Sequence, residues 1–210
     1  MSEITGYNPS QSAEDIRNLS DSLDGIMRAF SSASTDFLSG VEENWYSPHA
    51  VEFGTKAQTI VEEFSTNFCD FHDGIIEKCK NAYNDIAKSN GDFMIDFPTC
   101  PRPLYYSIPY KEIDPNGIVG MNVEVVTKLL DTYLDSFRTV GTSLYALPMN
   151  IAFFDPDGSL LSAYQNSVNS LKEKIEESIQ MIKDTIEPYV KEEQALIKQS
   201  VSTASSELNE

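Results

Sequence analysis

Residues 35–56, which read TDFLSGVEENWYSPHAVEFGTK, decide how this chain folds. They contain its only tryptophan, Trp45, and directly after it the pair Ser47-Pro48. Proline suits the first position of a helix, whereas the residue before a proline is disfavoured in the helical conformation. We therefore predict that one helix ends at about Asn44 and that a second begins at Pro48. The Ser47 side chain is expected to cap the free N–H groups of the second helix.

Apolar residues recur at helical spacing on both sides of this elbow. Steps of three, four and seven residues place them on one face of an amphipathic helix. Before the elbow they are Ile16, Leu19, Leu23, Ile26, Phe30, Phe37 and Val41, and after it Phe53, Ala57, Ile60, Phe64, Phe68, Phe71 and Ile75. The first helix is predicted to start at the capping-box-like segment 12–15. The second is predicted to stop at Asn90-Gly91.

Residues 92–120 differ in kind from the helical segments around them. They hold five of the chain's ten prolines, which exclude a continuous helix. They also hold five aromatic residues, whereas flexible linkers are polar. The composition predicts an extended strap that lies against the helices. A proline-rich ligand for a recognition domain is the alternative interpretation.

Residues 121–210 repeat the pattern of a helical hairpin. A heptad-like stripe begins after Asn122 and ends before Pro148. A second elbow follows at Phe153–Pro156, where Asp155-Pro156 resembles the cap and proline of the first elbow. A last helix runs on from there, and Pro188 is expected to kink or interrupt it. The matching elbows suggest an internal duplication, although two amphipathic hairpins also align by periodicity alone.

Together these segments predict an all-α fold, an elongated antiparallel four-helix bundle made of two helical hairpins. Residues 1–91 form the first hairpin, with the Trp45 elbow. Residues 92–120 form the strap. Residues 121–210 form the second hairpin, whose elbow is Phe153–Pro156.

The charge of the chain limits its partners. Its 210 residues carry a formal net charge of -18, and the acidic residues are spread over both halves. Like-charge repulsion therefore opposes nucleic acid and anionic membranes as partners. The N-terminal residues lack the basic start and apolar run of a signal peptide, and the chain has no apolar stretch long enough to span a membrane. If the protein leaves the cell, we expect export without a cleaved leader.

No motif in the sequence indicates catalysis, a cofactor or a metal. The three cysteines, Cys69, Cys79 and Cys100, have no CxxC spacing, so we expect neither a disulfide framework nor a zinc site. His72 and Asp73 are expected on different helix faces, and no dyad is predicted. Phosphate-binding, zinc-protease and nucleophile-elbow motifs are all missing. The sequence therefore predicts a protein that is not an enzyme.

The first elbow carries a family resemblance. A helix, a turn of the form Trp-x-small at Trp45-Tyr46-Ser47, and a second helix that opens on Ala50 and Phe53 resemble the WXG (early-secreted-antigen-like) family. Members of this family are helical hairpins exported by type VII secretion systems in Gram-positive bacteria and mycobacteria. The resemblance covers residues 12–90. The glycine of the family motif is Ser47 in this chain.

A second element of the family lies near the C-terminus. Its export signal is a tyrosine, three residues and then an acid, late in a helix that follows the elbow. Tyr189 and Glu193 have this spacing. Residues one helical turn apart share a face, so a docking groove can read both side chains together. Tyr83, at the corresponding place in the first hairpin, is followed by Ala87 instead of an acid.

The resemblance implies a function without chemistry. The chain looks like a tandem two-hairpin member, whose elbow motif is Trp45, Ser47 and Pro48 and whose export signal is Tyr189 and Glu193. Its implied role is a type VII secretion substrate, or an escort of one, recognised by the export ATPase and able to bind a secreted partner or cargo. Two other readings stay open. One is an intracellular structural or assembly protein, and the other is a membrane-active helical toxin, which the acidic surface opposes at neutral pH.

Overall fold

The computed structural model describes residues 8–100, 120–147 and 158–208. Residues 101–119, which make up most of the predicted strap, and the predicted elbow Phe153–Pro156 lie outside these ranges. The predictions for these two segments therefore stay predictions.

The described chain is all-α, as predicted. Its helices are α1 (Pro9–Asn44), α2 (Pro48–Asn90), α3 (Val123–Ala146), α4 (Ser159–Met181) and α5 (Glu187–Glu207). A π-helical turn, Ile182–Ile186, joins α4 to α5 without a break. The only strands in the described ranges are the two-residue segments β1 (Trp45–Tyr46) and β2 (Gly120–Met121). None of the described helices is long and apolar enough to cross a membrane.

The first helix begins earlier than the sequence indicated. It starts at Pro9, three residues before the predicted start at Ser12. The Asn8 side chain caps it by accepting a hydrogen bond from the Gln11 N–H at 3.1 Å. Asn8-Pro9 is thus a cap followed by proline at the first helical position, and it takes precedence over the capping-box-like segment further on.

Two other helix ends follow the sequence closely. Gly91 has a φ of 73°, which glycine adopts at little cost, and it ends α2. The Asp92 N–H then bonds to the Ala87 carbonyl at 2.8 Å, which completes a Schellman motif. At the start of α3, Asn122 provides the cap, since its side-chain oxygen accepts a hydrogen bond from the Val125 N–H at 3.4 Å.

The chain divides into two compact units, and each draws on both predicted hairpins. One unit contains residues 1–29, 65–103 and 139–175, and the other contains residues 30–64, 104–138 and 176–210. Each unit therefore includes a segment of α1, of α2 and of α3. The first unit adds most of α4, and the second adds the end of α4 together with α5.

In the second unit, α1 runs antiparallel to α2. The Phe37 ring lies 5.7 Å from Phe53, and the Phe30 ring lies 4.7 Å from Phe64. The later residue of α1 thus contacts the earlier residue of α2, as expected for antiparallel helices. All four rings are buried. Aromatic pairs at such centroid separations add packing energy beyond the burial of their area.

The α3 segment of this unit also runs antiparallel to α1. Tyr133 stacks on Phe37 at 4.1 Å, and Phe137 meets the edge of Phe30 at 4.8 Å. Gly40 allows the close approach, because a Cβ added there would lie 2.7 Å from the nearest Leu129 methyl carbon. Both α2 and α3 therefore run opposite to α1 in this unit.

In the first unit, α3 and α4 are joined by buried polar and aromatic contacts. The Tyr164 hydroxyl donates a hydrogen bond to the Leu144 carbonyl at 2.9 Å. Burial raises the pKa of Tyr164 to about 12, so the hydroxyl keeps its proton at neutral pH. The Tyr164 ring also packs against Phe71 of α2 at 6.0 Å.

The strap residues that the structure describes, 92–100, lie along α2 in the first unit. Asn84 holds the backbone of Ile95 twice: its amide donates to the Ile95 carbonyl at 3.0 Å, and its carbonyl oxygen accepts from the Ile95 N–H at 2.8 Å. Lys80 reaches Asp96 at 3.3 Å. Cys100 is the only residue of this segment that is buried.

Candidate functional site

The Trp45 elbow is held by a short antiparallel bridge. Trp45 pairs with Met121, and Tyr46 pairs with Gly120. The Asn122 N–H also bonds to the Asn44 carbonyl at 2.8 Å. This bridge fixes the turn from the end of α1 to the residues just before α3, which sequence periodicity does not reveal.

The Trp45 ring fills the core at the elbow. It is 2% exposed and lies 5.0 Å from the Phe53 ring, centroid to centroid. Ala50, the other residue that carries the family resemblance after the elbow, is also buried. The three residues thus act as one packing cluster at the start of α2.

The predicted capping role of the Ser47 side chain is wrong. Ser47 is 5% exposed, and its hydroxyl has no hydrogen-bond partner among the described residues. The turn is closed instead by the backbone, since the Ser47 carbonyl accepts a hydrogen bond from the Ala50 N–H at 3.1 Å. The helix nevertheless begins at Pro48, as predicted. The break therefore follows from proline rather than from a serine cap.

Tyr189 lies on α5 against the early turns of α2. Its hydroxyl donates a hydrogen bond to Glu52 Oε1 at 2.6 Å and accepts one from Lys56 Nζ at 2.6 Å. The Lys56 ammonium lies 4.6 Å from the centre of the tyrosine ring, within the range of a cation–π contact. The tyrosine is half-buried, so solvent reaches part of the residue.

Glu193, one turn later, is turned inward. It is 3% exposed, and its Oε2 lies 2.9 Å from His49 Nδ1. His49 is the second residue of α2, two places after Ser47. The predicted signal residues thus share one side of α5. Of the two, only Tyr189 is partly accessible, whereas the Glu193 carboxylate is buried in its contact with His49.

The contacts of the Tyr189 hydroxyl shift the pKa values of Glu52 and Lys56. The hydrogen bond from Tyr189 holds the pKa of the Glu52 carboxyl below its ordinary value, and Lys56 adds to that effect. The hydrogen bond with Tyr189 also raises the pKa of the Lys56 ammonium, with help from Glu52. At neutral pH Glu52 and Lys56 are therefore an ionised pair that shares the Tyr189 hydroxyl. We call Tyr189, Glu193, His49, Glu52 and Lys56 the α2–α5 clasp.

The π-helical turn before Tyr189 sets the register of the clasp. Pro188 has no N–H, and its ring would clash with a carbonyl one turn earlier in a regular helix. The chain accommodates this by widening, and the Glu187 N–H bonds to the Ile182 carbonyl five residues back. A π turn shifts the following residues around the helix axis relative to those before it. The predicted interruption near Pro188 is thus a widened turn rather than a break.

A groove of about 580 Å³ lies between α3 and the start of α5 in the same unit. Three basic residues line it, Arg138, Lys183 and Lys191, in a chain that is strongly acidic elsewhere. Arg138 is paired with Asp135, and Lys191 is paired with Glu187. The groove therefore offers alternating charges beside the helix that carries Tyr189.

The sequence identified only part of the clasp. Tyr189 and Glu193 were found from their spacing, but their partners His49, Glu52 and Lys56 were not. The partners are up to 144 residues away along the chain. One signal points to them in retrospect: the three occur at spacings of three and four residues in the first turns of α2, and so share a polar face.

A second polar cluster, in the first unit, corrects another expectation. His72 is fully buried, with Nδ1 2.9 Å from Asp73 and Nε2 3.0 Å from Asp24 of α1. The prediction that His72 and Asp73 point apart is wrong, because the carboxylate turns back along the helix to meet the ring. Within the described ranges, no three His, Cys, Asp or Glu side chains are placed to hold a metal ion.

Comparisons with protein-family models, with curated proteins and with solved structures found no match. The resemblance to the WXG family therefore rests on the elbow and on the spacing of Tyr189 and Glu193.

The buried Glu193 gives a prediction for stability. Replacing Glu193 with alanine removes its contact with the His49 ring, which solvent can still reach, so the free energy of unfolding should fall by about 0.5–1.5 kcal/mol. Glu193→Gln, which keeps an acceptor of the same shape, should lose less. Denaturant unfolding of both variants measures the difference. A double-mutant cycle with His49→Ala isolates the pair, and a coupling energy near zero would contradict the contact.

The pKa shifts in the clasp predict a pH window. The pKa of Glu52 is lower in the folded chain, so its stabilising contribution is complete above the ordinary carboxyl pKa of about 4.3 and is lost as the pH falls through the lowered value. The pKa of Lys56 is raised, so its contribution is complete below about 10.4 and is lost as the pH rises through the raised value.

We therefore expect the stability difference between the native chain and Tyr189→Phe to be flat from about pH 5 to 10 and to shrink on both sides. Denaturant unfolding across that range measures it. Glu52→Gln is the matched control, because it should remove the acid-side change only. A difference that grows below pH 4 would contradict the assignment.

Proposed function

We propose that the chain is a non-enzymatic substrate of a type VII secretion system, or an escort of such a substrate, and that the export ATPase recognises it. The observation that carries the proposal is the α2–α5 clasp. Tyr189 and Glu193 lie against the helix that starts at the Trp45 elbow. The two elements that resemble the WXG family, far apart in sequence, thus belong to one compact unit.

In the α2–α5 clasp the two signal residues have different roles. Glu193 is buried against His49 and holds α5 against the first turn of α2. Tyr189 is then held in one position by Glu52 and Lys56, and the residue stays half-buried. A fixed aromatic ring costs little conformational entropy when a partner binds it. In this proposal the ATPase reads the Tyr189 ring together with the charges beside it, and Glu193 acts as a positioning residue.

Binding to the ATPase tests this proposal. The full chain and its variants would be titrated against the cytosolic part of the export ATPase by calorimetry. Tyr189→Ala should weaken binding at least tenfold, which corresponds to about 1.4 kcal/mol. Tyr145→Ala is the matched control, because Tyr145 is an exposed tyrosine in the other unit. Equal affinities for the native chain and both variants would contradict the proposal.

One observation favours the second candidate function, an intracellular structural or assembly protein. The polar groups of Tyr189 and Glu193 are both engaged within the chain. In a helical bundle with no export partner, Tyr189 and Glu193 would serve only to stabilise the fold through such contacts. On that reading, function should follow stability: Phe137→Ala, which opens the core, should impair function, and Tyr189→Ala should not. Loss of function in Tyr189→Ala, with function retained in Phe137→Ala, would reject the structural role.

A further inference from the structure

We propose that Cys69 and Cys100 are a disulfide site, which closes when the chain meets a disulfide oxidant and ties the strap to α2. Spacing alone does not pair them, since they lie 31 residues apart and the chain has a third cysteine. Both belong to the first unit, and neither is in a disulfide in this structure. The site is independent of the function proposed above.

Backbone geometry brings the two residues together. The Cys100 N–H donates a hydrogen bond to Asp73 Oδ1 at 2.7 Å. Asp73 lies four residues after Cys69 on α2, so both side chains are on the same face of the helix. Cys100 therefore sits over the turn that carries Cys69. Both cysteines are buried, at 1% and 5% exposure. A disulfide forms when the two sulfurs close to a bond length of about 2.05 Å.

The burial pattern of the strap points to the same pair. Of the residues from 91 to 100, Cys100 alone is buried, at 5% exposure. The strap is otherwise held by side-chain contacts from Asn84 and Lys80. The one buried side chain among these residues is thus a thiol, and it lies against the turn of α2 that contains Cys69. A short aliphatic residue would fill the same space but could form no covalent bond to α2.

Burial also explains why the site stays reduced until an oxidant reaches it. Burial raises the pKa of the Cys100 thiol, and Cys69 and Asp73 add to the effect, so little reactive thiolate is present in the closed strap. A segment with so few buried contacts opens locally at less cost than global unfolding. Opening of the strap exposes Cys100 first, because Cys69 belongs to the helix.

The chemistry balances with glutathione disulfide as the oxidant. The Cys100 thiolate attacks one sulfur of glutathione disulfide, which forms a mixed disulfide and releases one glutathione thiolate. The Cys69 thiolate then attacks the Cys100 sulfur and displaces the second glutathione. The two protein thiols lose two electrons and two protons. One glutathione disulfide becomes two glutathione thiols.

The third cysteine provides an internal control. Cys79 is also buried and lies ten residues after Cys69 on the same helix. At 1.5 Å per residue the two are roughly 15 Å apart, too far for a disulfide. Cys79 should therefore stay a thiol when the other two are oxidised.

Mass spectrometry tests the proposal. The reduced full chain is incubated in native buffer with glutathione disulfide, quenched in acid, unfolded and alkylated. We expect one alkyl group, on Cys79, and a peptide that links Cys69 to Cys100, against three alkyl groups without the oxidant. Cys79→Ser should form the same link, and Cys100→Ser should form none within the chain.

Two results would overturn the proposal. One is three alkyl groups, or glutathione adducts alone, after an exposure that links cysteines in the unfolded chain. The other is a mixture of all three pairings in the native chain, as expected from random contact. Cys79→Ser keeps both proposed partners. The presence or absence of the Cys69–Cys100 link in that variant therefore decides the proposal even if Cys100→Ser folds poorly.

Discussion

Tyr189→Ala is expected to abolish export of the protein while leaving it folded. The side chain is half-buried, and its partners Glu52 and Lys56 remain in contact with solvent when it is removed. Truncation therefore creates no buried unpaired charge, which is the usual cause of a large loss of stability. A partner that reads the ring, however, loses the aromatic contact that carries binding energy at interfaces.

The measurement compares the variant in cells and in culture supernatant, together with its thermal unfolding. Tyr145→Ala is the control for loss of an exposed tyrosine. Tyr189→Phe separates the ring from the hydroxyl: retained export would show that the ring is read, and lost export would implicate the bonds to Glu52 and Lys56. If Tyr189→Ala unfolds the chain, the signal hypothesis loses its support.

Trp45→Ala has the largest expected effect on stability. The ring is 2% exposed and packs on Phe53 at the elbow, so its removal leaves a cavity in the core of the second unit. The free energy of unfolding should fall by roughly 3–5 kcal/mol. Export should be lost as well, as a consequence of unfolding.

Denaturant unfolding followed by circular dichroism measures this, since the substitution removes the only tryptophan fluorophore. The neighbouring Tyr46→Ala is the matched control. Tyr46 is 51% exposed, so its truncation should change stability by no more than about 0.5 kcal/mol. A loss of less than about 1 kcal/mol in Trp45→Ala would contradict a packing role for the ring.

The helices were predictable from the sequence because their signals are local. Apolar spacing of three and four residues gave the buried faces, and proline or glycine marked the ends at Pro48 and Gly91. The start of α1 was misplaced because two cap signals compete there. Asn8-Pro9 precedes the segment that begins at Ser12, and the earlier one prevails.

The candidate site was predictable only in part because its contacts are not local. The spacing of Tyr189 and Glu193 is visible in the sequence, but the rotation of α5 is set by the π turn before Pro188. Periodicity that assumes a regular helix cannot give that rotation. The contact from Glu193 to His49 depends on it, and so does the burial of the carboxylate.

The His72–Asp73 contact and the Cys69–Cys100 pair of the first unit could not be predicted from the sequence for a related reason. A helical wheel separates His72 from Asp73, yet side-chain torsions bring the carboxylate to the ring. Likewise, the approach of Cys100 to Cys69 depends on the path of a proline-rich strap. Such a path is fixed by single contacts, for example that of Asp73 with the Cys100 N–H, and not by a repeating pattern.

The amount of this protein in culture supernatant, from its host with and without an active type VII ATPase, shows whether the chain is exported by that system. A cytoplasmic marker measured in the same samples controls for lysis. We expect the protein in the supernatant only when the ATPase is active. Retention in the cells of both strains, or equal release from both, would contradict it and favour the structural role.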